Sequence, residues 1–202
     1  MADQETQVPV APKPPWEEKP IPPAPQDARE HGLAREVAEA VPDAVLEAVE
    51  FVGQVTLTVA VDKLADVARA CKERLGYAFL VDLTVVDWRE RPEGRFDVVY
   101  WLHRHHDSVR LRLKVRIADG TELRSMTAVW KVANWMEREA FDMFGVYFAG
   151  HPNLERILTW EGFNGHPLRK DFPIEGVDTG AAIYPDVFPP GGGPAKSGEG
   201  EA

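Results

Sequence analysis

Cysteine is almost absent from this chain, with one, Cys71, in 202 residues. A single thiol cannot close an internal disulfide, and it cannot supply the four thiolates that iron–sulfur clusters usually need. It lies at helical spacing among Ala, Leu and Val in DKLADVARACKERL, which suits a small buried apolar residue better than a reactive thiol. An excess of positive charge is missing as well. The formal net charge is −10 and the isoelectric point is near 5.1, which argues against general nucleic-acid binding and against direct attachment to anionic lipid. No apolar run approaches the roughly 18–20 residues needed to cross a bilayer. The opening MADQETQVPV has neither the basic start nor the apolar stretch of a secretory signal. A protein of the cytoplasm is therefore expected.

The short motifs of catalysis are also lacking. The chain contains no G-x-G-x-x-G, no G-x-S-x-G and no C-x-x-C. GGGPAKS near the end has Ala195 before Lys196, with no strand before it and no helix after it, so it does not read as a phosphate-binding loop. Proline is sparse in the middle: twelve of the seventeen lie in the first 25 or the last 18 residues. That uneven spread divides the chain. Residues 1–28 read as an extended arm, partly polyproline II, that is either a solvated tail or lies along a partner with Trp16 as its only large anchor. Residues 29–175 read as the folded domain, and residues 176–202 as a flexible Gly/Pro-rich tail.

Within the domain, Gly32 to Val41 reads as a short helix stopped by Pro42. Strands are expected at 44–52 and 54–61, where Val55, Leu57, Val59 and Val61 alternate with smaller or polar residues, and Gly53-Gln54 is the candidate turn. Asp62 is expected to cap a helix running to about Leu75, with Leu64, Val67, Ala68, Cys71 and Leu75 as its apolar stripe. Three further strands are expected at 78–88, 95–104 and 108–118, then a last helix from about Thr127 to Phe144, ended by Gly145. The order α-β-β-α-β-β-β-α predicts an α+β fold, a mainly antiparallel sheet with packed helices, followed by an irregular C-terminal segment.

Three features carry candidate chemistry. In the strand at 108–118, Arg110, Arg112, Lys114 and Arg116 alternate with Val109, Leu111, Leu113, Val115 and Ile117. The cations form either a solvated face that protects an edge from pairing, or a basic stripe for an acidic partner. His103, His105, His106 and Asp107 have spacing compatible with a metal and would serve a stand-alone metal-dependent hydrolase. The tip of a hairpin is the simpler place for them. Glu137, Arg138, Glu139 and Asp142 crowd one helix. Arg138 and Asp142, four apart, are placed to pair on one face, and any of these charges covered by a partner would need an opposite group there.

The stretch WMEREAFDMFGV from Trp135 to Val146 resembles the signature of the respiratory complex I 30 kDa subunit family, whose bacterial members are C-type subunits of NADH-quinone oxidoreductase. So do FAGHP at 148–152, Arg156-Ile157-Leu158, and GHPLRKDFP at 165–173, in the same order and spacing. Several linked motifs over 135–173 are far more specific than any one alone. One departure is Glu155, where the family usually carries the first of two basic residues.

The resemblance implies a non-catalytic structural subunit of the peripheral arm of proton-pumping NADH:quinone oxidoreductase, docked on the 49 kDa (D-type) subunit near the quinone module. Such a subunit binds no cofactor itself. FMN, iron–sulfur clusters and quinone belong to the assembled complex, on the cytoplasmic side of the bacterial inner membrane. Equivalent subunits of membrane-bound hydrogenases and of F420H2 or ferredoxin dehydrogenases share these motifs. The residues expected to face the partner are Glu137, Arg138, Glu139, Asp142, His151, Arg156, His166, Arg169, Lys170 and Asp171, with Arg169 the first choice. Pro152, Pro167 and Pro173 stiffen the segment, while Trp160, Phe163 and Phe172 offer apolar anchors. The competing reading is that this segment folds back over its own sheet.

Overall fold

Alternating apolar residues and one helical crossover account for most of the architecture. In the computed structural model, which describes residues 23–160 and 162–176, the chain opens with strand β1 (Gln26–Asp27) and helix α1 (Gly32–Ala40). Strands β2 (Val45–Phe51) and β3 (Gln54–Val59) form a hairpin. Helix α2 (Leu64–Glu73) follows, then β4 (Phe79–Asp87), β5 (Phe96–Arg104) and β6 (Val109–Ile117). A short strand β7 (Leu123–Arg124), helix α3 (Ala133–Phe144) and strand β8 (Phe148–Ala149) complete the regular elements. The arm up to residue 22, with Trp16, and the tail from residue 177, with GGGPAKS, lie outside the described residues.

The large sheet has the order β1-β2-β3-β6-β5-β4. Every neighbouring pair is antiparallel except β3 and β6, which run parallel with Leu57 opposite Leu113. The topology explains that exception. Helix α2 carries the chain from the end of β3 to the far edge of the sheet, so β4 starts in the same direction as β3, and two reversals later β6 does too. A separate parallel pair joins β7 to β8. It ties the chain just after α3 to the chain just before it.

The helices cover one face of the sheet. Leu57, Val98, Leu102, Leu111, Leu113 and Val115 point inward against Leu64, Val67, Ala68 and Cys71 of α2, all at most 1 % exposed. Burial of each larger side chain stabilises the fold by about 2 kcal/mol. Cys71 is in this core, where desolvation pushes its thiol up to about 12, so it is an inert packing residue.

Local detail differs from the pattern-based expectation in several places. Strand β1 lies inside the stretch expected to be an extended arm, yet it pairs with β2, and Ala28 next to it is buried in the core. The hairpin turns on Val52-Gly53, with φ of 50° and 72°, because a two-residue turn that matches strand twist needs positive φ at both central positions. Asp62 does not cap α2. It lies in a single 3-10 turn over Val61–Lys63, and no side chain caps the helix that follows. The last helix starts at Ala133 instead of Thr127, because residues 126–132 form turns in which Val129 and Trp130 both donate to Met126 O. Finally, β6 lies between β3 and β5. Its row of cations therefore guards no edge.

Candidate functional site

The sequence WMEREAFDMFG in α3 buries two acids and leaves its first aromatic outside. Glu137 and Asp142 are fully buried, whereas Trp135 and Glu139 are exposed. Asp142 is the anchor of the segment that follows. Its Oδ2 accepts from the backbone amides of Ile157, Leu158 and Thr159 at 3.0, 2.8 and 2.9 Å. Its Oδ1 accepts from Arg156 Nη1 at 2.7 Å and from the Thr159 hydroxyl. Burial pushes this carboxyl up, but the donors of Thr159, Leu158 and Arg156 outweigh burial and hold it at about 2. An irregular stretch with no strand partner must find acceptors for its amides, and one carboxylate serves three of them.

The next turn is fixed by close backbone approach. Gly145 ends α3 with φ of 76°, and a Cβ there would meet His166 Nε2 at 2.6 Å. His166 Nδ1 lies 2.9 Å from Asp142 O, and Arg156 Nη2 donates to Gly165 O at 3.0 Å. Gly165 is likewise required, since a Cβ would fall 2.9 Å from the Phe172 ring. Phe172 stacks on Phe163, which meets Trp160 edge to face with centroids 4.9 Å apart.

A second carboxylate fixes the far end. Asp87, at the end of β4, receives Arg95 Nε at 3.0 Å and Arg95 Nη2 at 2.9 Å. It also accepts from the amides of Arg89 and Lys170 at 2.8 and 2.9 Å. Burial raises this group too, yet Arg95 and the Lys170 and Arg89 amides hold it at about 2. Arg95 in turn donates to Asp171 Oδ1 at 2.6 Å and to Asp119 Oδ2 at 3.2 Å, and Arg169 pairs with Asp119. The GHPLRKDFP stretch is thus bolted onto the end of its own sheet.

Glu137 behaves differently. Ser125 Oγ and the Met126 amide each donate to it at 2.6 Å, and His151 Nε2 lies 4.0 Å away with its side chain fully buried. His151 accepts from the Asn153 amide at Nδ1 and faces Asn134 O with Nε2. No arginine among the described residues reaches Glu137, so burial prevails and pushes it up to about 7 against those two donors.

The ten residues expected at a partner surface therefore separate. Glu137, Asp142 and His151 have their side-chain groups buried within this chain's own fold. The expected Arg138–Asp142 pair does not form. Arg156 takes Asp142, and Arg138 donates instead to Glu155 O at 2.9 Å and Arg156 O at 3.2 Å. Arg156, His166, Arg169 and Asp171 are all bonded within the chain, with Arg169 also over the Phe96 ring. Glu139 and the Lys170 ammonium are exposed and make no ion pair among the described residues. Pattern reading missed Asp87, Arg95 and Asp119, since nothing in a strand-end Asp announces that a segment 83 residues later will bond to it.

Alongside these inward contacts of Arg156, His166 and Asp171, the segment shows some apolar residues outward. Trp135, Leu158, Trp160 and Leu168 are 59, 63, 44 and 54 % exposed. Elsewhere the histidine-rich hairpin does not converge. Arg104 takes Asp107 at 3.0 Å, the rings of His103 and His105 meet edge to face, and among the described residues no group of three or more ligand-type side chains surrounds a metal position. No helix among them is long and apolar enough to cross a membrane.

Residues 57–178 match the family model described as the respiratory-chain NADH dehydrogenase, 30 kDa subunit. A Geobacter sulfurreducens protein, named as the C-type subunit of NADH-quinone oxidoreductase, is 45 % identical over 135 residues, covering 66 % of this chain and 83 % of that protein. A Rhodobacter capsulatus protein of the same name is 46 % identical over 146 residues, covering 71 and 73 %. Among solved structures, one chain of the membrane-bound sulfane sulfur reductase, an archaeal respiratory membrane complex, superposes with a TM-score of 0.60 at 26 % identity. That match covers 72 % of this chain and 86 % of the other.

Proposed function

Because the chain belongs to the respiratory-chain NADH dehydrogenase 30 kDa subunit family, we propose that it is a non-catalytic subunit of NADH:quinone oxidoreductase that joins other subunits of the peripheral arm. The observation that carries this reading is the division of labour after α3. Arg156, His166 and Asp171 bond inward, and Trp135 of α3 with Leu158, Trp160 and Leu168 is left exposed. Such a stiffened surface loses little conformational freedom on association, and exposed tryptophans in it supply the large buried area on which interfaces depend.

The partner in this reading is the 49 kDa subunit beside the quinone module, on the cytoplasmic side of the membrane. Glu139 and Lys170 lie exposed near that surface and contribute steering charges. Electrons pass from NADH through FMN and iron–sulfur clusters to quinone on other subunits. The donor set of this chain does not fit a cluster: its one thiol is buried and held protonated, and clusters take several accessible thiolates. The superposition on a chain of the sulfane sulfur reductase keeps a second reading in view, the equivalent subunit of a related membrane complex. The 45–46 % identity to NADH-quinone oxidoreductase proteins favours the first.

The test is a double variant, Leu158→Asp with Trp160→Ser, purified both as isolated chain and from detergent-solubilised membranes. The isolated chain should keep its melting temperature within a few degrees, since exposed positions contribute little. Recovery of intact complex should fall at least tenfold, and unchanged recovery would refute the interface.

A further inference from the structure

The face of the large sheet opposite the helices carries a feature that the docking of the C-terminal segment does not use. Arg110, Arg112, Lys114 and Arg116 line up on β6, a central strand. Arg116 and Lys114 lie 3.6 and 4.0 Å from Asp97. That carboxylate is already held by Arg91 at 2.9 and 2.6 Å and by Trp88 Nε1 at 2.8 Å. Arg112 shares in none of this. Its guanidinium lies 3.9 Å from the centre of the Trp101 ring, and its Nε is buried without a hydrogen-bond partner among the described residues. Burial lowers the pKa of this guanidinium, with no neighbouring carboxylate to offset the loss of water.

Around it runs a groove of about 420 Å³, lined by Val49, Phe51, Val86, Trp88, Trp101 and Arg112 among others. No other element among the described residues lies across it, and Phe51, Val86 and Trp88 remain more than a third exposed. Two tryptophans, a phenylalanine and an arginine without an acceptor, gathered in one depression, form a binding surface with an unfilled polar requirement. Complementarity then describes the occupant: apolar side chains for the walls, and one carboxylate to accept from Arg112.

We propose that this groove receives a segment of a second subunit, distinct from the contact made through Leu158 and Trp160, whose apolar residues fill it around an Asp or Glu that pairs with Arg112. The proposal rests on the assembly reading above. The chain's own Trp16-Glu17-Glu18 has related chemistry, so an adduct to residues 1–22 is the outcome that would assign the groove to it.

Photo-crosslinking in the assembled complex separates these occupants. The full chain is produced with p-benzoylphenylalanine at Val86 or, separately, at Leu158, the complex is purified after irradiation, and the adducts are sequenced by mass spectrometry. The expected Val86 adduct is a peptide of another subunit with Asp or Glu within about three residues of the attachment point, the reach of a neighbouring side chain on an extended segment. Adding Arg112→Gln should lower the Val86 adduct several-fold and leave the Leu158 adduct unchanged. A Val86 adduct to residues 1–22, to a second copy of this chain, or to nothing while Leu158 labels would overturn the groove proposal alone. So would a Val86 yield that ignores Arg112→Gln. Failure at both positions would overturn the assembly reading, and this proposal with it.

Discussion

The sheet-and-helix body and the segment after α3 are held together by different physics. In the body, backbone groups pair along the ladders of β2 to β6, and the core is almost wholly apolar, with Leu57, Leu102, Leu111 and Val115 fully buried. In the segment from Gly150 to Gly176 no ladder exists among the described residues, and the amides turn instead to Asp142 and Asp87. Leu158, Trp160, Leu168 and Ile174 in it are exposed, while Leu154, Ile157, Phe163 and Phe172 are half-buried. An irregular chain must answer for its hydrogen bonds one by one, and charged acceptors do that more strongly than neutral ones. A polar residue in a family motif therefore need not touch a partner. Here the charges build the surface, and the apolar residues present it.

Two substitutions break this comparison most directly. Asp142→Ala leaves three amides, the Thr159 hydroxyl and the Arg156 guanidinium without their acceptor. The expected loss is about 3–5 kcal/mol, expressed locally. Hydrogen exchange at 157–159 should become fast while the strands of the body stay protected. Leu113→Ala, in the centre of the core, should cost about 2–5 kcal/mol and loosen both regions together. If Asp142→Ala speeds exchange in β5 and β6 as much as at 157–159, the two regions are one cooperative unit and the distinction fails.

The second effect is a pH dependence in which the two kinds of buried acid have opposite signs. Glu137 titrates near 4.5 in the unfolded chain and near 7 in the fold. The folded state therefore binds the proton more tightly. Its contribution is fully present below pH 4.5 and is lost as pH rises through 7, by roughly 3 kcal/mol in all. Urea denaturation between about pH 5 and 7.5 should show this decline, and Glu137→Gln should flatten it. A wild-type stability that rises with pH across that window would contradict the assignment.

A smaller effect sharpens the comparison at the acid end. Asp87, held at about 2 against a reference of 3.8, contributes stability that is present above about pH 4 and lost as pH falls through 2. Asp87→Asn keeps an acceptor but not the charge that Arg95 needs. It should cost about 2 kcal/mol near neutrality and remove part of the acid transition, with exchange rising at Lys170 first. Equal acid sensitivity in the variant and the parent would show that Asp87 is not the group responsible.

Much of the fold is legible in the sequence because it depends on period. The alternation of Leu111, Leu113, Val115 and Ile117 with Arg110, Arg112, Lys114 and Arg116 identifies both faces of β6 correctly. The helical stripe around Cys71 likewise foretells its burial. What fails are local details set by competition for hydrogen bonds. Thr127 fits a helical pattern, but Glu137 captures the Ser125 hydroxyl and the Met126 amide and holds that stretch in turns. Arg138 and Asp142 have the spacing of a pair, but Arg156 arrives from 14 residues past Asp142 with better geometry. Leu158 and Leu168 give no sign of being surface residues, because exposure in an irregular segment has no period to betray it.

The sequence alone determined the family, through linked motifs between Trp135 and Pro173, and the inward and outward sides of β3 and β6, because side-chain direction follows from the repeat of the backbone. Tertiary structure decided where β6 sits in the sheet, which cations keep a partner and which do not, and that Glu137 and Asp142 of α3 face inward while Glu139 does not. Those outcomes depend on contacts between residues distant in the chain, such as Asp87 with Lys170 and Asp142 with Thr159, and no local pattern encodes which of several possible donors will reach a buried carboxylate first.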